Sequence, residues 1–107
     1  MSDHSNLLPS IGLCARAGKL IYGIPMVCDA MKRGGAGMPR LVLEAADTSD
    51  NSHKRIGDRC RYYGVELIRL EVGGAQLGAA VGKTTVLGAV GITDDGLAGM
   101  IKNKLGE

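Results

Sequence analysis

The residues best placed to do chemistry form a basic, glycine-containing run, Ala15-Arg16-Ala17-Gly18-Lys19-Leu20-Ile21-Tyr22-Gly23. It ends one apolar helical pattern and opens another. A helix N-terminus leaves its first backbone N–H groups unsatisfied and carries partial positive charge, so the turn at Gly23 suits an anion such as a phosphate. Lys19 before the turn, and Lys32 and Arg33 on the polar side of the helix after it, add positive charge. The chemistry expected of this corner is contact with a phosphodiester backbone, with no bond made or broken.

Gly78-Ala79-Ala80-Val81-Gly82-Lys83-Thr84-Thr85 ends like a nucleotide-binding loop, which needs G-x-x-x-x-G-K-S/T between a strand and a helix. Position 77 is Leu, so the spacing is one residue short. The context is also reversed, with a helix before and a strand after. The segment therefore reads as a helix end and a polar loop, from which Lys83, Thr84 and Thr85 can touch a ligand. Candidates for catalysis are few. His4 lies near the terminus, and His53 opens a helix with no assignable nucleophile. Asp94 and Asp95 read as a helix cap. Glu44 ends a strand, where α/β active sites form, but it stands alone. A protein without enzymatic activity is expected.

Lys54, Arg55, Arg59 and Arg61 are interleaved with Asp50 and Asp58, and Lys54 and Asp58 have i,i+4 spacing. This predicts a solvated, salt-paired helix face. Within it, Arg59-Cys60-Arg61-Tyr62-Tyr63 mixes cations with aromatics, as single-strand binders do, although Tyr63 falls on the apolar stripe with Ile56 and Cys60.

These residues must be positioned by one compact domain, 1–107, because 107 residues support little else. The chain is 45% hydrophobic with three Tyr and no Trp or Phe, so its core must be aliphatic. Seventeen glycines predict tight turns and short elements. A net charge of +2 permits nucleic-acid binding without arguing for it. Cys14, Cys28 and Cys60 are odd in number and form no C-x-x-C pair, so neither a disulfide framework nor a zinc site is signalled. They are expected in the core of a protein kept in a reducing cytosol, with no metal and no cofactor. Met1 to Asn6 has no basic leader region, and no apolar run reaches the length of a membrane span, so a cytoplasmic protein is expected.

Apolar spacing predicts a helix from Asn6, as N-cap, to Ala17, with Pro9 in its first turn and Gly18 as its stop. A short strand follows at Leu20 to Tyr22. Ile24, Val27, Cys28 and Met31 then mark a second helix ending at Gly34. Arg40 to Ala46 reads as a buried strand, and Asp47-Thr48-Ser49-Asp50 leads into a helix ending near Tyr63, with Gly64 as its stop. Val65 to Leu70 is a strand, Gly73-Gly74 opens a short helix through Val81, and Val86 to Ile92 is a strand. Thr93-Asp94-Asp95 caps the last helix, with Leu97, Met100, Ile101 and Leu105 on one face. The alternation predicts an α/β domain with helices on both faces of a small, largely parallel sheet.

Several segments together follow one pattern: Leu13-Cys14-Ala15-Arg16-Ala17-Gly18-Lys19-Leu20, Ala30-Met31-Lys32-Arg33-Gly34, Leu41-Val42-Leu43-Glu44-Ala45-Ala46-Asp47, Gln76-Leu77-Gly78-Ala79-Ala80-Val81-Gly82-Lys83 and Val90-Gly91-Ile92-Thr93-Asp94. The pattern resembles the kink-turn RNA-binding ribosomal proteins of the L7Ae and L30e type, in their short bacterial branch. The resemblance implies a three-layer α/β/α sandwich around a four-stranded mixed sheet. It also implies an RNA partner, with a role in a ribonucleoprotein or in translation. In that family RNA meets the N-terminus of the second helix, where Asn and Glu follow a glycine, and a loop late in the chain. These map to Gly23 and to Gly82-Lys83-Thr84-Thr85. Here Pro25 and Met26 stand where Asn and Glu would be, and Asp29 replaces a phosphate-contacting Lys. The surface implied is therefore Lys19, Gly23, Lys32, Arg33, Lys83, Thr84 and Thr85, suited to the RNA backbone rather than to base edges. The alternative is a protein–protein interaction module on the same fold, with the apolar Ile24-Pro25-Met26-Val27 edge as its surface. Exposure of Pro25 and Met26 beside mixed charge favours the second, and a continuous positive surface the first.

Overall fold

Each apolar stripe in the sequence becomes a buried helix face in the computed structural model, which describes residues 4–106. Of the segment read as lacking a leader, residues 1–3 lie outside the described part, as does residue 107. The chain enters through a 3-10 turn at Ser5–Leu7 and continues as α1 (Leu8–Arg16). Asn6 is therefore not the N-cap: Leu7 takes that place, buried, while Asn6 stays exposed. Pro9 sits in the first helical turn as expected.

The strands and remaining helices are β1 (Leu20–Tyr22), α2 (Ile24–Arg33), β2 (Leu41–Glu44), α3 (Asp50–Tyr63), β3 (Glu66–Arg69), α4 (Gly74–Ala80), β4 (Ala89–Ile92) and α5 (Asp95–Leu105). At α3 and α5 side chains cap where the sequence placed cap residues. Ser49 Oγ accepts from the Ser52 N–H at 3.2 Å, and an Asp94 carboxylate oxygen accepts from the Leu97 N–H at 2.9 Å. Gly18 and Gly64, at φ 72 in each case, end α1 and α3 in the left-handed conformation glycine adopts most readily.

The four strands lie in the order β1-β4-β2-β3. Only β2 and β3 are parallel, with Leu41 opposite Glu66 and Glu44 opposite Arg69. β4 runs antiparallel to both neighbours, pairing Tyr22 with Val90 and Glu44 with Ala89. The sheet is mixed, as the family resemblance implied, and not largely parallel as strand–helix alternation suggested. Helix α4 is too short to carry the chain back across the sheet. The Leu87 N–H bonds to the Gly74 carbonyl at 3.1 Å, which returns the chain to the end where β3 finished, so β4 must start there. The same bond takes Val86 to Gly88 out of the strand expected to begin at Val86.

Residues alternate across β2, and the two faces fill two aliphatic cores. Leu41 and Leu43 pack with Ile11, Cys14, Leu77 and Ile101 beneath α1, α4 and α5. Val42 packs with Val27, Cys28, Met31, Ile56 and Cys60 beneath α2 and α3. The result is a three-layer α/β/α sandwich. All three cysteines are free and buried. Burial raises the Cys14 thiol pKa and lifts that of Cys60 from 9.0 to about 11, so both stay protonated at neutral pH. Among the described residues no helix is long and apolar enough to cross a membrane.

Candidate functional site

β1, β2 and β3 end, and β4 begins, at one end of the sheet. There Gly23 caps α2 at φ 88, ψ 150, and donates its N–H to the Ala89 carbonyl at 2.8 Å. Three turns converge around it. A Cβ on Gly88 would lie 2.9 Å from Ile24 Cδ1 and 3.3 Å from Thr48 Cγ2, so the loop before β4 packs closely against α2 and the β2–α3 turn. Earlier in that loop the Lys83 ammonium lies 4.4 Å from the centre of the Tyr22 ring, a cation–π contact that fixes it beside β1. Thr84, Thr85 and Val86 are exposed.

The residues expected at a single corner divide between two ends of the groove along β1. Gly23, Lys83, Thr84 and Thr85 flank the end just described. Lys19 precedes β1 at the opposite end, where its carbonyl accepts from the Thr93 N–H at 3.0 Å and the Thr93 hydroxyl at 3.3 Å. Lys32 and Arg33 occupy the last turn of α2, also remote from Gly23. Sequence proximity misled because β1 is extended and α2 is about 15 Å long. A groove of about 460 Å³ runs between the ends, lined among others by Gly18, Leu20, Tyr22, Met26, Ala30 and Arg33.

Pro25 and Met26 are exposed, Met26 by 53%. Neither side chain offers a hydrogen-bond donor. Asp29 forms an ion pair with Arg33 at 3.2 Å, so the outer face of α2 carries mixed charge.

Sequence reasoning missed a cluster at the same end of the sheet. Glu44 is 0% exposed, and His53 Nδ1 lies 2.9 and 2.8 Å from its two carboxylate oxygens. The Thr48 hydroxyl donates to Glu44 as well, and Arg69 Nε approaches at 3.8 Å. Arg69 also donates to the Ala46 carbonyl at 3.1 Å and the Thr48 hydroxyl at 3.2 Å. A buried carboxylate is costly unless such partners surround it. With them it pins the β2–α3 turn beside Gly88. The available signal was a Glu at a strand end followed by a His in the next helical turn; Arg69 reaches them only through the β2–β3 register. Closed from solvent and fully partnered, Glu44 is not arranged to meet a substrate. Asp47 of the same turn accepts from the Gly74 N–H at 2.8 Å and so holds the start of α4. Among the described residues no His, Cys, Asp and Glu group is arranged to hold a metal ion.

The salt-paired face expected on α3 forms on one flank. Asp58 bonds to Lys54 at 3.1 Å and also to Arg61, and these contacts hold its carboxyl below the usual range, led by the Lys54 bond.

Comparison with known proteins places these features. The model of the ribosomal protein L7Ae/L30e/S12e/Gadd45 family matches residues 6–101. The chain is similar to the RNA-binding protein YlxQ of Bacillus subtilis (strain 168), with 36% identity over 90 residues, covering 84% of this chain and 85% of that protein. It is similar also to the RNA-binding protein YlxQ of Enterococcus faecium, with 34% identity over 88 residues, covering 82% and 80%. Among solved structures, a protein with unknown function from Bacillus halodurans C superposes with a TM-score of 0.83 at 26% identity, covering 96% of this chain and 99% of that one. The Giardia lamblia 15.5kD RNA binding protein shares the fold, with a TM-score of 0.73 at 21% identity over 94% of this chain and 82% of that one.

Proposed function

This chain belongs to the ribosomal protein L7Ae/L30e/S12e/Gadd45 family, and from that membership we propose that it is a non-catalytic protein that binds structured RNA. The carrying observation is the convergence of the α2 N-terminus with the loop before β4, which groups Gly23 with Lys83, Thr84 and Thr85 on one exposed end. The similarity to two proteins known as RNA-binding protein YlxQ supports the same reading. Phosphate contacts need only cations and N–H or hydroxyl donors, and this end supplies them. Reading base edges needs donors and acceptors at fixed positions, and Pro25 and Met26 offer none. The RNA is therefore held by backbone and shape, without the usual kink-turn readout. Lys19, Lys32 and Arg33 extend the contact at the far end of the groove. Residues 1–107 act as one domain, in the cytoplasm, on ribosomal or other structured RNA.

The test is titration with a kink-turn RNA and a scrambled hairpin of equal length at two salt concentrations. Both are expected to bind within a few-fold of each other and to weaken as salt rises. Binding of neither at low salt sinks the proposal, and binding of the kink-turn alone sinks its backbone-only part.

A second reading, a protein–protein module, is favoured by the apolar wall of Leu20, Ile21, Tyr22, Met26 and Ala30 beside the Asp29–Arg33 pair. It predicts a partner lost on Met26→Asp while RNA affinity stays unchanged.

A further inference from the structure

Helix α3 segregates its charges around its circumference. Asp50, Lys54, Asp58 and Arg61 share one flank, where Asp58 pairs with both neighbouring cations. Asn51, Arg55, Arg59 and Tyr62 follow i, i+4, i+8, i+11 along the other. All four are exposed, and among the described residues neither Arg55 nor Arg59 has a carboxylate partner. Tyr62 is 81% exposed, the largest exposure of any large hydrophobic side chain described. Its ring stands nearly perpendicular to that of Tyr63, at 84° with centroids 4.8 Å apart, so the partly buried Tyr63 braces it while most of the Tyr62 side chain stays in solvent. Asp58, Arg59, Tyr62 and Tyr63 line a shallow groove of about 430 Å³ at this point.

We propose that the Asn51–Arg55–Arg59–Tyr62 flank of α3 is a second RNA-contact track, one that takes a single strand and stacks a base on Tyr62. The track deepens the RNA-binding reading above and rests on it. Two unpaired guanidinium groups four residues apart, about 6 Å along the helix, suit successive phosphates, and a guanidinium also stacks on a base. An exposed, braced aromatic ring accepts any base face, whatever the sequence. Among the described residues neither guanidinium is bonded to a carboxylate, so the flank keeps its positive charge free for a polyanionic strand. Since α3 begins at the β2–α3 turn beside Gly88, the track starts near the Gly23 end of the sheet. It can receive the strand that leaves a structured element held there.

The experiment titrates the full chain with a single-stranded uridine oligomer of about ten nucleotides, within the usual site size for such binders, and with a blunt hairpin. Wild type is compared with Tyr62→Ala and with Arg55→Gln/Arg59→Gln, both confined to exposed side chains. Tyr62→Ala is expected to weaken oligomer binding about tenfold, the loss of one stacked base. The double variant is expected to reduce the salt slope by about 1.4, the release from two single-strand phosphates. Hairpin affinity should be unchanged in both. Wild-type hairpin binding without oligomer binding overturns the track and leaves the structured-RNA reading standing. Oligomer affinity unchanged in both variants also overturns it. So does binding of polyglutamate by wild type in place of the oligomer, which would mark the flank as a site for an acidic protein.

Discussion

At the residue scale, Glu44 shows how a charge inside an apolar sandwich is used. It is fully buried at the end of β2 on the face covered by α3, and among the described residues His53, Thr48 and Arg69 offset the cost of taking it out of water. Those three partners come from α3, the β2–α3 turn and β3, so the carboxylate ties together elements that border the candidate RNA surface. Glu44→Ala is expected to cost about 3–5 kcal/mol, because it leaves His53, Thr48 and Arg69 without their acceptor. His53→Ala is expected to cost only about 1–2 kcal/mol, since the remaining partners still serve Glu44. Urea denaturation of the two variants checks this, and equal losses would refute the asymmetry. The sequence exposed Glu44 as the one carboxylate at a strand end but not its partners, because they meet through strand pairing and a five-residue turn.

At the element scale, the loop before β4 is shaped by small residues on α4. A Cβ on Gly74 would sit 2.8 Å from the Leu87 carbonyl oxygen, and one on Gly78 would collide with the Thr85 carbonyl oxygen. These glycines let a backbone lie directly on the helix, which explains why the Leu-Gly-x-Ala-x-Gly-Lys segment is so recognisable. In an isolated helix Gly78→Ala would add about 1 kcal/mol of stability. Here it is expected to destabilise by about 1–3 kcal/mol, since the displaced groups are backbone and cannot rotate away. It should also weaken RNA binding by moving Lys83 and Thr84. A variant more stable than wild type with unchanged affinity would contradict this account. The helices and their stops were legible because apolar spacing, caps and left-handed glycines are local signals. The start of β4 was not, because Val86 and Leu87 have strand-like side chains but spend their backbone bonds on α4.

At the scale of the whole molecule, a net charge of +2 conceals an uneven distribution. Lys83 stands at one end of the β1 groove, and Lys19 and Lys32 stand at the other. A short hairpin held at the Gly23 end should feel Lys83→Ala as a loss of about one unit of salt slope, and Lys19→Ala/Lys32→Ala hardly at all. An RNA long enough to follow the groove should lose about two units with the double variant. Fluorescence titrations over a salt series distinguish the cases. Equal responses of the short hairpin to both variants would return the surface to the single corner suggested by sequence proximity.

The sequence by itself determined the element order, most of the helix ends, the aliphatic cores and the family, because these depend on side-chain periodicity and on local backbone preferences. It also placed Pro25 and Met26, whose side chains carry no hydrogen-bond donor, at the start of the second helix. Only the tertiary structure decided the rest. Strand direction depends on where α4 and its loop return the chain, and the pairing of Glu44 with His53 and Arg69 depends on sheet register. The separation of Lys19, Lys32 and Arg33 from Gly23 follows from the lengths of an extended strand and a helix. Contacts between residues distant in sequence set the strand direction and the Glu44 cluster, and no local pattern encodes them.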